Sequence, residues 1–117
     1  MVKKAYVPDA GDIAWLDFDP RAGREQARRR PALVLTTASY NQASGLAVVC
    51  PFTSVGKNYP FEIPEIVAGR DAVLLADHVK SLDWRTRHAA FIEKADARLL
   101  QKTHAYLAVL LSMTTPH

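Results

Sequence analysis

One cysteine, few glycines and no long apolar run set the first limits on this 117-residue sequence. The lone thiol, Cys50, cannot close an internal disulfide, which excludes a disulfide-stapled scaffold; its setting in AVVCPF reads as a small buried hydrophobe. His78, His88, His104 and His117 include no closely spaced ligand pair, and the cysteine stands far from all of them, so no metal ion is expected. With only 5 glycines there is neither a phosphate-cradling loop nor a G-x-S-x-G turn, so nucleotide hydrolysis and serine chemistry lack their usual residues. No apolar stretch approaches the ~20 residues of a membrane span. The opening MVKKAYVPDAGD puts an Asp and a Pro where a signal peptide needs an apolar core, so a cytoplasmic protein without membrane contact is the expectation.

What is present is a folding composition. Hydrophobic residues make up 49% and charged residues 23%, which excludes disorder and points to one domain over residues 1–117. The net charge is only +3, yet its placement is uneven. In DPRAGREQARRR, Asp19 to Arg30, five arginines face Asp19 and Glu25, so these twelve residues hold the whole surplus and the rest of the chain is neutral. A charge run is commonly a solvated loop. Every cation here is Arg, however, the side chain whose planar fork pairs bidentately with phosphate, and that favours an anionic, phosphate-bearing ligand.

Along the chain, Asp12–Phe18 reads as a strand that is apolar on most of both faces and is stopped by Asp19 and Pro20. Pro31 opens PALVLTT as a second strand, SYNQASG supplies turn chemistry, and LAVVCPF forms a third, the three making a meander. FEIPEI suits an edge strand because Pro64 cannot donate to a ladder. A strand in RDAVLLADHVKSLDW is expected to end near Ala76 or Asp77, and HAAFIEK is a last short one. From Asp96 the period changes: Leu99, Leu100, Thr103, Tyr106, Leu107, Leu110 and Leu111 share one stripe at helical spacing, with Asp96 placed as the cap. Five or six strands followed by one helix describe a mainly β fold, a small bent sheet or partly open barrel. Such an architecture implies no activity.

The residues themselves carry a resemblance. YVPDAGDIAWLDFDP, GREQARRRPALVLT, CPFTSVGKNYPFE and LADHVKSLDWRTR, in that order, resemble the MazF/PemK toxins of bacterial toxin–antitoxin systems over about residues 6 to 111. The most specific part is Gly23, Glu25, Gln26, Arg30 and Pro31 followed by Pro51 to Thr53. The resemblance implies an SH3-like barrel of MazF/PemK/CcdB type, a homodimer, and a metal-independent, cofactor-free endoribonuclease that cuts single-stranded RNA. It also implies a cognate antitoxin whose acidic, disordered C-terminal segment covers the RNA channel. Glu25 then matches the base that takes the 2′ proton, Arg30 the clamp on the phosphate, and Thr53 a hydroxyl donor to the developing oxyanion. RNA contacts are implied for Arg24, Gln26, Arg28, Arg29 and Ser54.

Each assignment has a structural counterpart: Glu25 as an ion-pair partner of its neighbouring arginines, Arg30 as a strand anchor, Thr53 as a turn residue bonding its own backbone. Arg29 stands where some relatives carry a histidine suited to proton transfer, which leaves the general acid unassigned, with His78 in reserve. Lys57, Asn58, His78, Lys80, Arg85 and Arg87 lie on later loops near Tyr59 and Trp84, a mixture of cations and planar groups that suits single-stranded RNA. Trp84 and Tyr59 suit core or interface anchoring equally well. The rival function is a noncatalytic binder of the same fold, of the gyrase-poison type.

Overall fold

A computed structural model describes residues 5–18 and 29–113 of the chain. Seven strands and two helices are present among them, in the order β1 (Asp12–Asp17), β2 (Arg29–Val34), α1 (Ala38–Ser44), β3 (Leu46–Thr53), β4 (Glu62–Val67), β5 (Arg70–Leu75), β6 (Lys80–Asp83), β7 (Ala90–Lys94) and α2 (Ala97–Leu110). A single 3₁₀ turn, Ala76–His78, joins β5 to β6.

All pairings are antiparallel, and the strands lie in the order β4-β5-β3-β2-β1-β7 with β6 also on β3. The long β3 bends the sheet because it changes partner on one flank, pairing β6 through residues 46–49 and β5 through residues 52 and 53. Pro51 falls between those two pairings, at the point where the ladder is already interrupted, which reconciles a proline with a central strand. Pro64 sits on β4 at the sheet's edge, as its missing N–H predicts. Alternation along the strands sends Ile13, Leu33, Cys50, Phe52 and Leu74 into one core, closed by Leu99 of α2, and Ala14, Leu16, Val34, Val49, Leu82 and Trp84 into another. The sheet is therefore apolar on both faces, a mainly β, half-barrel arrangement with a C-terminal helix.

Three sequence expectations change. SYNQASG is not a turn but helix α1, because Thr37 caps its start through Tyr40 N–H at 3.4 Å and Gly45, at φ 77°, ends it. The second strand spans Arg29–Val34 instead of Pro31–Thr37, since the Thr36 hydroxyl and the Thr37 cap turn the chain into α1. Strand β6 was absent from the expected set: KSLD has one buried residue in four, and it is a strand because it pairs with β3. Asp96 caps α2 by accepting from Arg98 N–H at 2.8 Å, as the pattern predicts. The helical stripe is buried at Leu99 and Thr103, half-buried at Leu100, Tyr106 and Leu107, and exposed at Leu110 and Leu111.

Candidate active site

The β2–β3 register pairs Ala32 with Pro51; continued by two residues, it sets Arg30 across from Thr53 at the end of both strands. Both residues line one cleft of about 690 Å³. Strands β1 and β2 supply Trp15, Arg29, Arg30 and Pro31, the end of β3 supplies Phe52, Thr53 and Ser54, and the β4–β5 hairpin supplies Val67, Ala68, Arg70, Asp71 and Ala72. That hairpin turns on Ala68 and Gly69, both with positive φ (52° and 79°), the two-residue geometry that matches strand twist.

Thr53 Oγ1 accepts from Val55 N–H at 3.3 Å, the local turn bond foreseen for it. The bond occupies a lone pair and leaves the hydroxyl proton for donation into the cleft. Arg29 is already engaged: Nη1 donates to Asp17 Oδ1 at 2.9 Å and Nη2 to the His88 carbonyl at 3.0 Å. Asp17 Oδ2 in turn meets His88 Nδ1 at 2.7 Å. This bond, with the Arg29 guanidinium, holds the Asp17 carboxyl below the usual carboxylate range. Three arginines against Asp71 line the cleft, so it attracts anions even with Arg29 paired to Asp17.

Other residues named from the sequence lie outside the cleft lining. Arg85 stacks on Trp84, 4.8 Å from the ring centroid, and Arg87 Nη1 donates to the carbonyls of Asp17 (3.2 Å) and Phe18 (3.1 Å). Lys80 Nζ lies 5.6 Å from the centre of the Phe18 ring. Lys57 and Asn58 are exposed on a loop whose backbone N–H groups donate to the Glu62 carboxylate at 2.9 and 3.0 Å. His78 is exposed on the 3₁₀ turn, 3.9 Å from Asp77. Arg24, Glu25, Gln26 and Arg28 lie outside the described residues. Among the described residues no group of three or more His, Cys, Asp or Glu side chains is placed to hold a metal ion.

Sequence reasoning missed Trp15, Arg70 and Asp71. Trp84 is buried, with its Nε1 donating to the Asn41 carbonyl at 2.8 Å, so it is an anchor of the core; Tyr59 stays exposed outside the cleft lining. Trp15 is the tryptophan at the cleft, 37% exposed. The sequence carried no signal for it, since Asp12–Phe18 reads as apolar on most of both faces; in the structure it is the one exposed residue between two buried ones. Arg70 and Asp71 offered only their adjacency to the Ala-Gly turn. Cys50 is buried as expected, and loss of solvent pushes its thiol up to about 12.

Comparison with known proteins agrees with this architecture. The profile for the PemK-like, MazF-like toxins of type II toxin–antitoxin systems matches residues 9–111. The endoribonuclease toxin MazF of Escherichia coli K12 is 45% identical over 106 residues, covering 91% of this chain and 96% of its own. The crystal structure of MazF from Deinococcus radiodurans superposes with a TM-score of 0.84 at 50% identity, over 93% of this chain and 100% of that one. A MazE–MazF crystal structure from the same organism gives the same TM-score and identity over 94% and 100%.

Proposed function

The chain belongs to the PemK-like, MazF-like toxins of type II toxin–antitoxin systems, and from that premise we propose that it is a metal-independent endoribonuclease cutting single-stranded RNA in the cytoplasm. The observation that carries the reading is the convergence of Arg30 and Thr53, from neighbouring strands, on one cationic cleft.

The substrate's own 2′ oxygen attacks the adjacent phosphorus in line, the bond to the 5′ oxygen breaks, and the products are a 2′,3′-cyclic phosphate and a 5′ hydroxyl. Charge gathers on the non-bridging oxygens as this happens. Arg30 stabilises that charge as a fixed cation, since a guanidinium keeps its protons near neutrality. Thr53 adds a neutral hydrogen bond from its free hydroxyl proton. Trp15 offers a face on which an unpaired base stacks while arginines neutralise the backbone. Glu25 is the proposed base, and Arg24, Gln26, Arg28, Arg29 and Ser54 the proposed RNA contacts.

The partners follow from the charge of the sequence and from the apolar residues left exposed. The arginine-rich stretch before β2 attracts RNA or an acidic antitoxin tail, which compete for it; both associations weaken as salt rises. A homodimer is supported by the apolar residues exposed on α2 and just after it, with Val109, Leu111 and Met113 all more than half accessible.

The test is incubation of the purified protein with a long RNA in EDTA, followed by mapping of the new ends. Specific cuts with 5′ hydroxyl termini are expected. Loss of specific cleavage in EDTA, or 5′ phosphate termini, would refute the mechanism, and salt-sensitive RNA binding without cleavage would favour the noncatalytic reading.

A further inference from the structure

We propose that His88, held by Asp17 beside the cleft, is the general acid of the RNA cleavage reaction, delivering a proton from Nε2 to the departing 5′ oxygen. The proposal rests on the endoribonuclease reading above. That chemistry leaves one task without an owner, because neither the Arg30 guanidinium nor the Thr53 hydroxyl releases a proton readily near neutrality.

Four observations place His88 in that role. Its Nδ1 meets Asp17 Oδ2 at 2.7 Å, which fixes the ring and makes Nε2 the nitrogen available for transfer. Nε2 makes no hydrogen bond among the described residues, and the side chain is 74% exposed. Two bonds tie the histidine to the cleft wall, since Arg29 donates both to Asp17 Oδ1 and to the His88 carbonyl, and Arg29 itself lines the cleft with Arg30 and Thr53. Finally, His88 has φ 56°, a left-handed conformation uncommon for a side-chain-bearing residue, which strained or functional positions adopt.

The charges around the ring set its working form. Asp17 of β1 faces it directly, Arg29 of β2 lies across Asp17, and the turn that carries it also holds Asp83, Arg85 and Arg87. The Asp17 carboxylate, 2.7 Å from Nδ1, orients the ring for an acid that begins the reaction with its Nε2 proton in place. As the bond between phosphorus and the 5′ oxygen breaks, its electron pair goes to that oxygen, which takes the Nε2 proton. The ring is left neutral, and the base that removed the 2′ proton holds the other. Exchange with water resets both.

The experiment compares wild type with His88→Asn and His88→Gly, both of which accept positive φ and keep the carbonyl that receives Arg29. Cleavage of a fluorogenic single-stranded RNA is followed from pH 5 to 9, with circular dichroism confirming the fold of each variant. His88→Asn should lower kcat on the order of a hundredfold or more, change KM less than twofold, and alter the shape of the pH–rate profile. Imidazole added to His88→Gly should restore part of kcat. Asp17→Asn should lower kcat, because the ring loses the carboxylate that orients it. A folded His88→Asn with wild-type kcat and pH profile would overturn the proposal, as would a tenfold rise in KM with unchanged kcat. Wild-type protein that leaves RNA intact would instead remove the endoribonuclease reading, so the two failures are distinguishable.

Discussion

Replacing Asn41 by alanine should destabilise the protein far more than an average substitution. Asn41 is fully buried in α1, and its side chain makes three hydrogen bonds: Nδ2 donates to the Pro8 carbonyl at 2.7 Å and to the Thr36 carbonyl at 2.9 Å, and Oδ1 accepts from the Thr36 hydroxyl at 2.6 Å. These bonds join the N-terminal segment, the end of β2 and the short helix, which has only seven residues and little stability of its own. Truncation leaves two carbonyls and one hydroxyl without those partners in a site poor in solvent. At about 1–3 kcal/mol for each buried group left unsatisfied, and with some relief from a water entering the space, the loss should be about 3–5 kcal/mol. Against a total of roughly 5–15 kcal/mol, that is a large share of the stability. Urea unfolding followed by the fluorescence of buried Trp84 should show a lower midpoint with unchanged m, at equal protein concentrations because dimerisation adds to the apparent stability. A double-mutant cycle with Thr36→Val should give a coupling of at least about 0.5 kcal/mol. A loss below about 1 kcal/mol would refute the reasoning, since it would mean that the triad of bonds contributes no more than water does.

Arg30→Ala should reduce kcat on the order of a hundredfold or more while RNA binding weakens much less; equal losses in both would make it a binding residue only. Thr53→Val should cost more activity than Thr53→Ser, which keeps the hydroxyl; equal rates would remove Thr53 from the chemistry. Asp9 and Asp17 have carboxyls lowered from 3.8, Asp9 chiefly by the Ala38 N–H and Asp17 chiefly by His88. Both therefore contribute stability above pH ~4 that is lost as pH falls through their folded values, so Asp17→Asn should flatten the acid limb of a stability profile, and an unaltered limb would contradict the assignment. Cys50, with its thiol pushed up to about 12, should resist alkylation at pH 8 in the folded protein and react readily in urea; fast labelling without denaturant would show that the core opens there.

The sequence alone determined the parts that depend on near neighbours. Apolar runs bounded by turn residues marked β1, β3, β5 and β7, proline placed β4 at an edge, and a change of period with Asp96 in front located α2, because run composition, side-chain periodicity and capping are local physics. The resemblance named Arg30 and Thr53 together, and both line one cleft. What stayed hidden depends on contacts made across the fold. KSLD carries almost no strand signal and becomes β6 only because β3 offers it a ladder. SYNQASG holds turn formers, yet its Asn41 side chain finds partners on Pro8 and Thr36 and the segment closes as a helix. Trp15, Arg70 and Asp71 meet at one cleft because a hairpin folds against the ends of three other strands. Asp17 and His88 stand 71 residues apart in the chain, and only the closing of β7 onto β1 brings an imidazole to that carboxylate. Local preference decides which segments become elements, whereas the placing of two distant side chains within hydrogen-bonding distance is decided by packing, and packing exists only once the sheet has formed.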